Sequence, residues 1–257
     1  MITCFLQGGL GNQMFQIAAT TALALTNDDI PVFNTDTHHW LMRGRKGENY
    51  VDSIFSKLLF DNKFQSQDIY EEPYFHFKKI PYIKNICLKG YFQSEKYFKY
   101  REQEIRELFS PTKEIDNYLQ KKYGSILKLD LVSLHVRRGD YLNLSDHHPV
   151  CTLEYYNQAM KLFSDVTYLV FSDDILWCKM NLPLENKYIF IEDNKDYEDL
   201  YLMSMCEHAI IANSSFSWWG AWLNQNPNKI VVAPKKWFGN RAPQKWKDLY
   251  CKGWTVI

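Results

Sequence analysis

Four short clusters in this chain could do chemistry. His135-Val136-Arg137-Arg138-Gly139-Asp140-Tyr141 sets two guanidinium groups and a carboxylate at the end of an apolar run, Leu131 to Val136. Two adjacent arginines leaving a buried strand fit a diphosphate better than they fit packing, because paired phosphate oxygens match the guanidinium fork. Asp140 either holds an arginine in place or works as a base. Asn213-Ser214-Ser215-Phe216-Ser217-Trp218-Trp219 follows another apolar run and opens a helical pattern. Small hydroxyl residues there can cap the helix and bring its unpaired N–H groups to a phosphate. Gly8-Gly9-Leu10-Gly11-Asn12-Gln13 lies between a strand and a helix, where glycine lets backbone approach an anion closely. It reads as a truncated dinucleotide fingerprint, with Met14 in place of the third glycine and Asp36 as a candidate ribose acid. Phe171-Ser172-Asp173-Asp174 ends a third apolar run, where a carboxylate can accept hydrogen bonds from a base or a ribose.

No metal is expected. Ser-Asp-Asp lacks the alternating acids of a metal-bound diphosphate, so arginine takes the cation's place. His38-His39 and His147-His148 are adjacent pairs, wrongly spaced for two ligands on one helix face. The six cysteines are scattered, with no pair at zinc spacing, and suit buried thiols in a reducing compartment.

The elements that must position these clusters are clearest in the second half. Leu131–Val136, Tyr168–Phe171, Tyr188–Ile191, Ala209–Ala212 and Ile230–Ala233 read as short buried strands. Helices are expected from the Thr152 cap, and at Ile175–Met180, Asp196–His208 and Phe216–Leu223. Strands alternating with helices over short links imply a parallel, helix-covered sheet. Ligands in such sheets bind outside the carboxyl ends of the strands, where all four clusters fall. The first half opens the same way, with strands at Ile2–Leu6 and Ile30–Phe33 around a helix from Asn12 to Leu25. Residues 34 to 85 show no clean period and are expected as loops and short helices. A strand at Ile86–Leu88 and charged helices from Lys96 to about Lys122 follow. The domain boundary is placed near residue 125, giving domains 1–125 and 126–257.

With 257 residues the chain is long enough for two modest domains. Thirty basic and thirty acidic side chains cancel, which disfavours nucleic acid as a partner. Aromatics make up 16% of the chain, enough for cores and for platforms on which sugars stack. The tryptophans of the Ser-rich cluster read as core before ligand platform. No stretch approaches the 18 apolar residues of a membrane span, and the first residues lack the basic region of a secretory leader. A cytoplasmic protein is expected, open to peripheral membrane contact if its acceptor is lipid-linked.

In order along the chain, GGLGNQMFQ, KGYFQSEKYF at 89 to 98, HVRRGDY at 135 to 141, FSDD at 171 to 174 and ANSSFSWWGAWL at 212 to 223 resemble the bacterial α-1,2-fucosyltransferases of glycosyltransferase family 11. The resemblance runs from Gly8 to Phe238; residues 34 to 85 and the last twenty carry none of it. It implies a GT-B-type α/β fold, two Rossmann-like domains with parallel sheets facing a central cleft. The N-terminal domain would be the acceptor side, and the C-terminal one would hold GDP-β-L-fucose. Fucose would pass with inversion, and without an essential metal, to the 2-hydroxyl of a terminal galactose. Arg138 and Arg137 would bind the diphosphate, with His135 and one of Asp173 or Asp174 near the guanosine. Asn213, Ser214, Ser215, Phe216 and Ser217 would face the phosphates, and Gly11, Asn12 and Gln13 would approach the donor from the N-terminal half. Asp140 is the first choice of base, with Glu95, Asp146 and His148 as alternatives. Lactose-type glycans, O-antigen repeats and capsule intermediates all fit as acceptors. Three rivals stay open: another sugar-nucleotide transferase of similar fold, a dinucleotide-binding oxidoreductase built on GGLGNQ, and a non-catalytic glycan-binding protein.

Overall fold

Two all-parallel sheets organise the chain in a computed structural model that describes residues 1–35, 49–243 and 245–257. They belong to two units, Met1–Lys113 with Lys245–Cys251, and Glu114–Gln244 with Lys252–Ile257. The boundary expected near residue 125 falls just after helix α3 described below. The return of Lys245–Cys251 to the first unit is anchored by Asp248, which accepts the Phe77 amide at 3.0 Å and pairs with Lys96.

In the first unit, β1 (Thr3–Cys4) leads into α1 (Leu10–Thr26), followed by β2 (Asp68–Glu71) and β3 (Ile86–Lys89). The sheet order is β1-β3-β2. α1 is buried along most of its length, in keeping with its run of alanines and aliphatics. It stops at Asn27, whose side-chain amide donates to the Leu23 carbonyl at 2.8 Å, and Asp28 follows with φ +51°. The expected strand at Ile30–Phe33 is reduced to isolated bridges, Ile2 to Pro31 and Phe33 to Phe60. Pro31 has no N–H for a continuous ladder. β2 arises where loops and short helices were expected, because Asp-Ile-Tyr-Glu is largely exposed and carries no apolar run to announce it. α2 (Glu102–Leu108) and α3 (Lys113–Tyr123) realise the charged helices, separated at Ser110-Pro111, and α3 already opens the second unit.

The second unit alternates strand and helix as expected. β4 (Leu131–Val136), α4 (Leu153–Met160), β5 (Thr167–Ser172), α5 (Ile175–Asn181), β6 (Lys187–Phe190) and α6 (Asp196–Ser204) come first. β7 (His208–Ile210), α7 (Ser215–Leu223), β8 (Val231–Ala233) and β9 (Thr255–Val256) complete it. Thr152 caps α4, its side chain accepting the Tyr155 amide. α6 ends earlier than the sequence suggests. Glu207 donates its N–H to Leu131 O at 2.9 Å, which draws the chain into the sheet and makes His208 the first residue of β7. β9, a two-residue edge strand, was not foreseen.

The order β6-β5-β4-β7-β8-β9 reverses direction between β4 and β7. All six residues of β4 are buried, and Val132, Leu134 and Val136 pack with Tyr156, Val170, Ile210 and Val232. Each such aliphatic side chain contributes about 1.5–3 kcal/mol by leaving water. That packing fixes where the chain emerges at Arg137.

Candidate active site

The crevice at the carboxyl ends of β4 and β7 is the switch point at which open α/β sheets bind ligands. From β4 emerge Arg137 and Arg138, with side chains only 16% exposed, and the structure gives them different surroundings. Arg137 is bracketed by carboxylates of its own loop and of the β5 end. Its Nη2 donates to Asp140 at 2.6 Å and its Nη1 pairs with Asp173 at 3.0 Å. Its guanidinium also lies 5.2 Å from the Tyr141 ring centre. Arg138 leans toward β5 and α5. Its Nε donates to Asp174 at 3.1 Å and its guanidinium covers Trp177 at 4.0 Å. The two terminal nitrogens of Arg138 have no hydrogen-bond partner among the described residues.

The sequence left open which carboxylate of Phe171-Ser172-Asp173-Asp174 matters, and the structure divides the work. Asp174 caps α5, accepting the Trp177 amide at 3.1 Å, and steadies Arg138. Asp173 holds the Arg137 guanidinium and accepts the Arg138 backbone N–H at 2.9 Å. Gly139 is required for this closeness, since a Cβ there would stand 2.4 Å from Asp173 Oδ2.

From β7 comes Asn213, buried and committed inward. Its amide donates to Pro149 O at 2.8 Å and Trp237 O at 3.0 Å, while Cys151 Sγ lies 3.3 Å from its Oδ1. The Asn213 carbonyl accepts the Tyr141 hydroxyl at 3.2 Å, which ties the β4 loop to the β7 loop. Ser214 stands at the N-cap of α7 without a side-chain cap bond. Ser215, Phe216 and Ser217 form the first turn, at the end of the helix where backbone N–H groups point outward along the axis. The Phe216 ring packs 5.6 Å from buried His135, which the sequence set near the guanosine. Trp218, Trp219 and Trp222 are buried against one another, Trp218 stacked on Trp222 and Trp219 edge-on to both, so they serve the core.

Gly11, Asn12 and Gln13 lie in the first turn of α1, in the first unit. Gly8 has φ +76°, and a Cβ there would meet Asn12 Nδ2 at 2.3 Å. Gln13 Nε2 donates to Gly8 O at 3.0 Å, and Gln93 Nε2 donates to Asn12 Oδ1 at 2.7 Å. Asp36 and His38-His39 lie outside the described residues.

Sequence reasoning missed Glu72. This half-buried carboxylate accepts the Tyr91 amide at 2.7 Å and the Phe92 amide at 3.1 Å, where Phe92 is strained at φ +50°. Burial raises its pKa, and those two backbone N–H groups with the Tyr97 hydroxyl oppose the rise. The only sequence signal was an acid pair, Glu71-Glu72, without periodicity. Glu72→Ala strips a charged acceptor from two N–H groups, about 3 kcal/mol at the low end, about 1.5 kcal/mol per bond, that suits a half-buried acceptor. A thermal melt should show the midpoint falling by about 6–12 °C.

The remaining base candidates are placed as follows. Asp140 is 51% exposed beside Arg137. Glu95 is buried and paired with Lys99 at 3.0 Å. Asp146 is exposed and pairs with Arg241 at 3.5 Å. His148 stacks on Tyr141 at 4.9 Å and 17°, with Phe238 on its other side at 5.8 Å. Burial lowers its pKa, and its Nδ1 is buried with no hydrogen-bond partner among the described residues. An imidazolium there would bury an unmet N–H, which is why burial disfavours the charged form. Burial pushes the Tyr141 hydroxyl up to about 12, Arg137 opposing and Asp140 adding to the shift.

Among the described residues no group of three or more His, Cys, Asp or Glu could hold a metal ion, and no helix is long and apolar enough to cross a membrane. All six cysteines are free thiols.

Comparison with known proteins gives the family and the fold. The family model "Glycosyl transferase family 11" matches residues 1–257. An alpha-1,2-colitosyltransferase of Escherichia coli is 32% identical over 96% of this chain and 98% of its own. A galactoside 2-alpha-L-fucosyltransferase of Caenorhabditis elegans is 25% identical over 90% of this chain and 71% of its own. Among solved structures, an alpha-1,6-fucosyltransferase, NodZ, soaked with GDP-fucose matches 90% of this chain and 94% of its own. Its TM-score is 0.58 at 13% identity, a likeness of fold. The GT-B-type α/β architecture expected from the sequence is therefore shown.

Proposed function

The chain belongs to glycosyltransferase family 11, and from that premise we propose that it moves L-fucose from GDP-β-L-fucose to the 2-hydroxyl of a terminal galactose, inverting the anomeric carbon. The observation that carries this reading is the pair of arginines fixed at the β4 end, beside the loop that opens α7. Such a site can neutralise a diphosphate with guanidinium forks and helix N–H groups, without a cation. As the fucose–phosphate bond breaks, its electron pair passes to the β-phosphate, and preorganised donors gain strength as that charge develops. Asp140 takes the proton of the attacking hydroxyl. Arg138, with two terminal nitrogens open and its stem steadied by Asp174 and Trp177, is built to present a rigid fork.

The Escherichia coli relative favours a second reading for the same site: a GDP-sugar of colitose, which is fucose without its 3-hydroxyl. Supplying both GDP-sugars with lactose-type and O-antigen acceptors, and weighing the products by mass spectrometry, decides between them. The six free thiols support a reducing compartment such as the cytoplasm.

GDP in excess EDTA should raise the melting temperature. At a hundredfold excess over Kd the native state gains about 2.7 kcal/mol, or about 5–10 °C. UDP and NAD should do much less. A shift with NAD but none with GDP would revive the oxidoreductase rival. Activity strictly dependent on Mg²⁺ or Mn²⁺ would sink the metal-free mechanism.

A further inference from the structure

The segment Lys89–Phe98 carries part of the family resemblance, yet it has no part in the arginine site. It leaves the end of β3 and turns beside the glycine turn that opens α1. The two turns interlock through side-chain amides. Gln7 Nε2 donates to Gly90 O at 3.3 Å, and Gln93 Nε2 donates to Asn12 Oδ1 at 2.7 Å. Buried Gln16 braces Gln7, accepting its N–H at 3.0 Å and donating to its carbonyl at 3.2 Å. Gln93 is 7% exposed, and Asn12 is the one hydrogen-bond partner of its side chain among the described residues. The backbone that aims Gln93 is strained. Phe92 is held at φ +50°, which a residue with a large ring rarely adopts, while its buried ring packs edge-on to Tyr97. Such a conformation persists only where its surroundings over-determine it. Glu72 supplies that constraint. Its N–H donates to Lys89 O at 2.8 Å, and its carboxylate accepts the consecutive N–H groups of Tyr91 and Phe92. Gly90 is required for this closeness, since a Cβ there would stand 2.4 Å from Glu72 Cβ.

We propose that Glu72 is a positioning residue for the transfer reaction, acting through the strained turn at Phe92 and through Gln93 to fix the amide of Asn12. The inference rests on the transfer reading above, with Asn12 among the residues that approach the donor. Gln93 engages Asn12 Oδ1, which leaves Nδ2 over Gly8, where a Cβ would stand 2.3 Å from it. The Asn12 amide therefore has one orientation rather than two. Glu72 does this work on the backbone: without its carboxylate, nothing holds the Tyr91 and Phe92 N–H groups in the strained turn, and Gln93 loses its aim.

Steady-state transfer kinetics, calorimetric titration with GDP and a thermal melt on the same full-length preparations test this. Gln93→Leu removes the hydrogen bond at similar volume and should lower kcat about tenfold, the effect of one misplaced hydrogen bond near a reacting centre. Glu72→Ala, assayed well below its lowered melting midpoint, should lose kcat by the same factor, with GDP affinity changed less than about twofold. Glu72→Gln keeps one oxygen over both N–H groups and should recover most of that loss. In the Gln93→Leu background, Glu72→Ala should still lower the melting midpoint but cost no further kcat, because both changes break one chain of contacts. A residue that only stabilises the fold predicts otherwise, since its removal leaves kcat per folded molecule at the parental value. Parental kcat in Gln93→Leu, losses that multiply in the double variant, or a loss that appears as weakened GDP binding each overturns the inference. Should Glu72→Ala yield no folded protein, parental kcat in Gln93→Leu still overturns it. A parent chain that transfers sugar from neither GDP-sugar overturns the transfer reading, and this inference with it.

Discussion

Arg138→Ala should lower kcat by about 10²–10³ while the ligand-free melting temperature stays within a few degrees of the parent. The rate loss is that of one preorganised donor to a developing charge, and it falls on kcat because the bond strengthens as the sugar leaves. Stability is spared because the Arg138–Asp174 pair is partly exposed and worth under about 1 kcal/mol. Arg138→Lys should recover little, since an ammonium can neither fork onto two oxygens nor lie flat on Trp177 as guanidinium does. Arg137→Ala should be as inactive, and it leaves Asp140 and Asp173 without the cation between them. If Arg138 is only a surface partner of Asp174, its alanine variant will turn over normally per folded molecule. More than about a tenth of parental kcat in Arg138→Ala would remove its catalytic assignment.

Trp218→Ala should show the opposite pattern. The indole is fully buried, stacks on Trp222 at 9° and packs edge-on to Trp219, with Trp254 5.6 Å away. Deleting it costs about 3–5 kcal/mol, because the transfer energy is lost and a cavity remains. The melting midpoint should drop by roughly 6–20 °C on the usual scaling for a chain of this size. GDP affinity of the material that remains folded should be close to normal. A small melting shift with lost GDP or glycan binding would instead make this tryptophan a ligand platform and reopen the glycan-binding rival.

Much of the second unit was legible because strands buried on both faces are short continuous apolar runs. Leu131–Val136 and Thr167–Ser172 follow that rule, and Thr152 marked its helix start by chemistry alone. The candidate site was legible as four clusters, since strand ends in such sheets are where polar residues with a purpose accumulate. β2 and β9 were not, because Asp-Ile-Tyr-Glu and Thr-Val are mostly exposed and paired only through backbone, which leaves no trace in side-chain pattern. Glu72 escaped for a related reason: the amides it holds are about twenty residues away, and no local spacing records them.

The amino-acid sequence by itself determined the α/β class, the strand ends that carry Arg137, Arg138, Asp173, Asp174 and the serines of α7, and the resemblance that named the family. Local propensity and apolar period are properties of neighbours in the chain, so they can be read along it. Tertiary structure alone decided that Arg137 is bracketed by Asp140 and Asp173 while Arg138 rests on Asp174 and Trp177. It also decided that Asn213 turns inward and that His148 lies half-buried against Tyr141, where burial lowers its pKa. Those assignments depend on how the strand-end loops pack together, and several of them join residues 24 to 64 positions apart. Only the folded sheet brings them together.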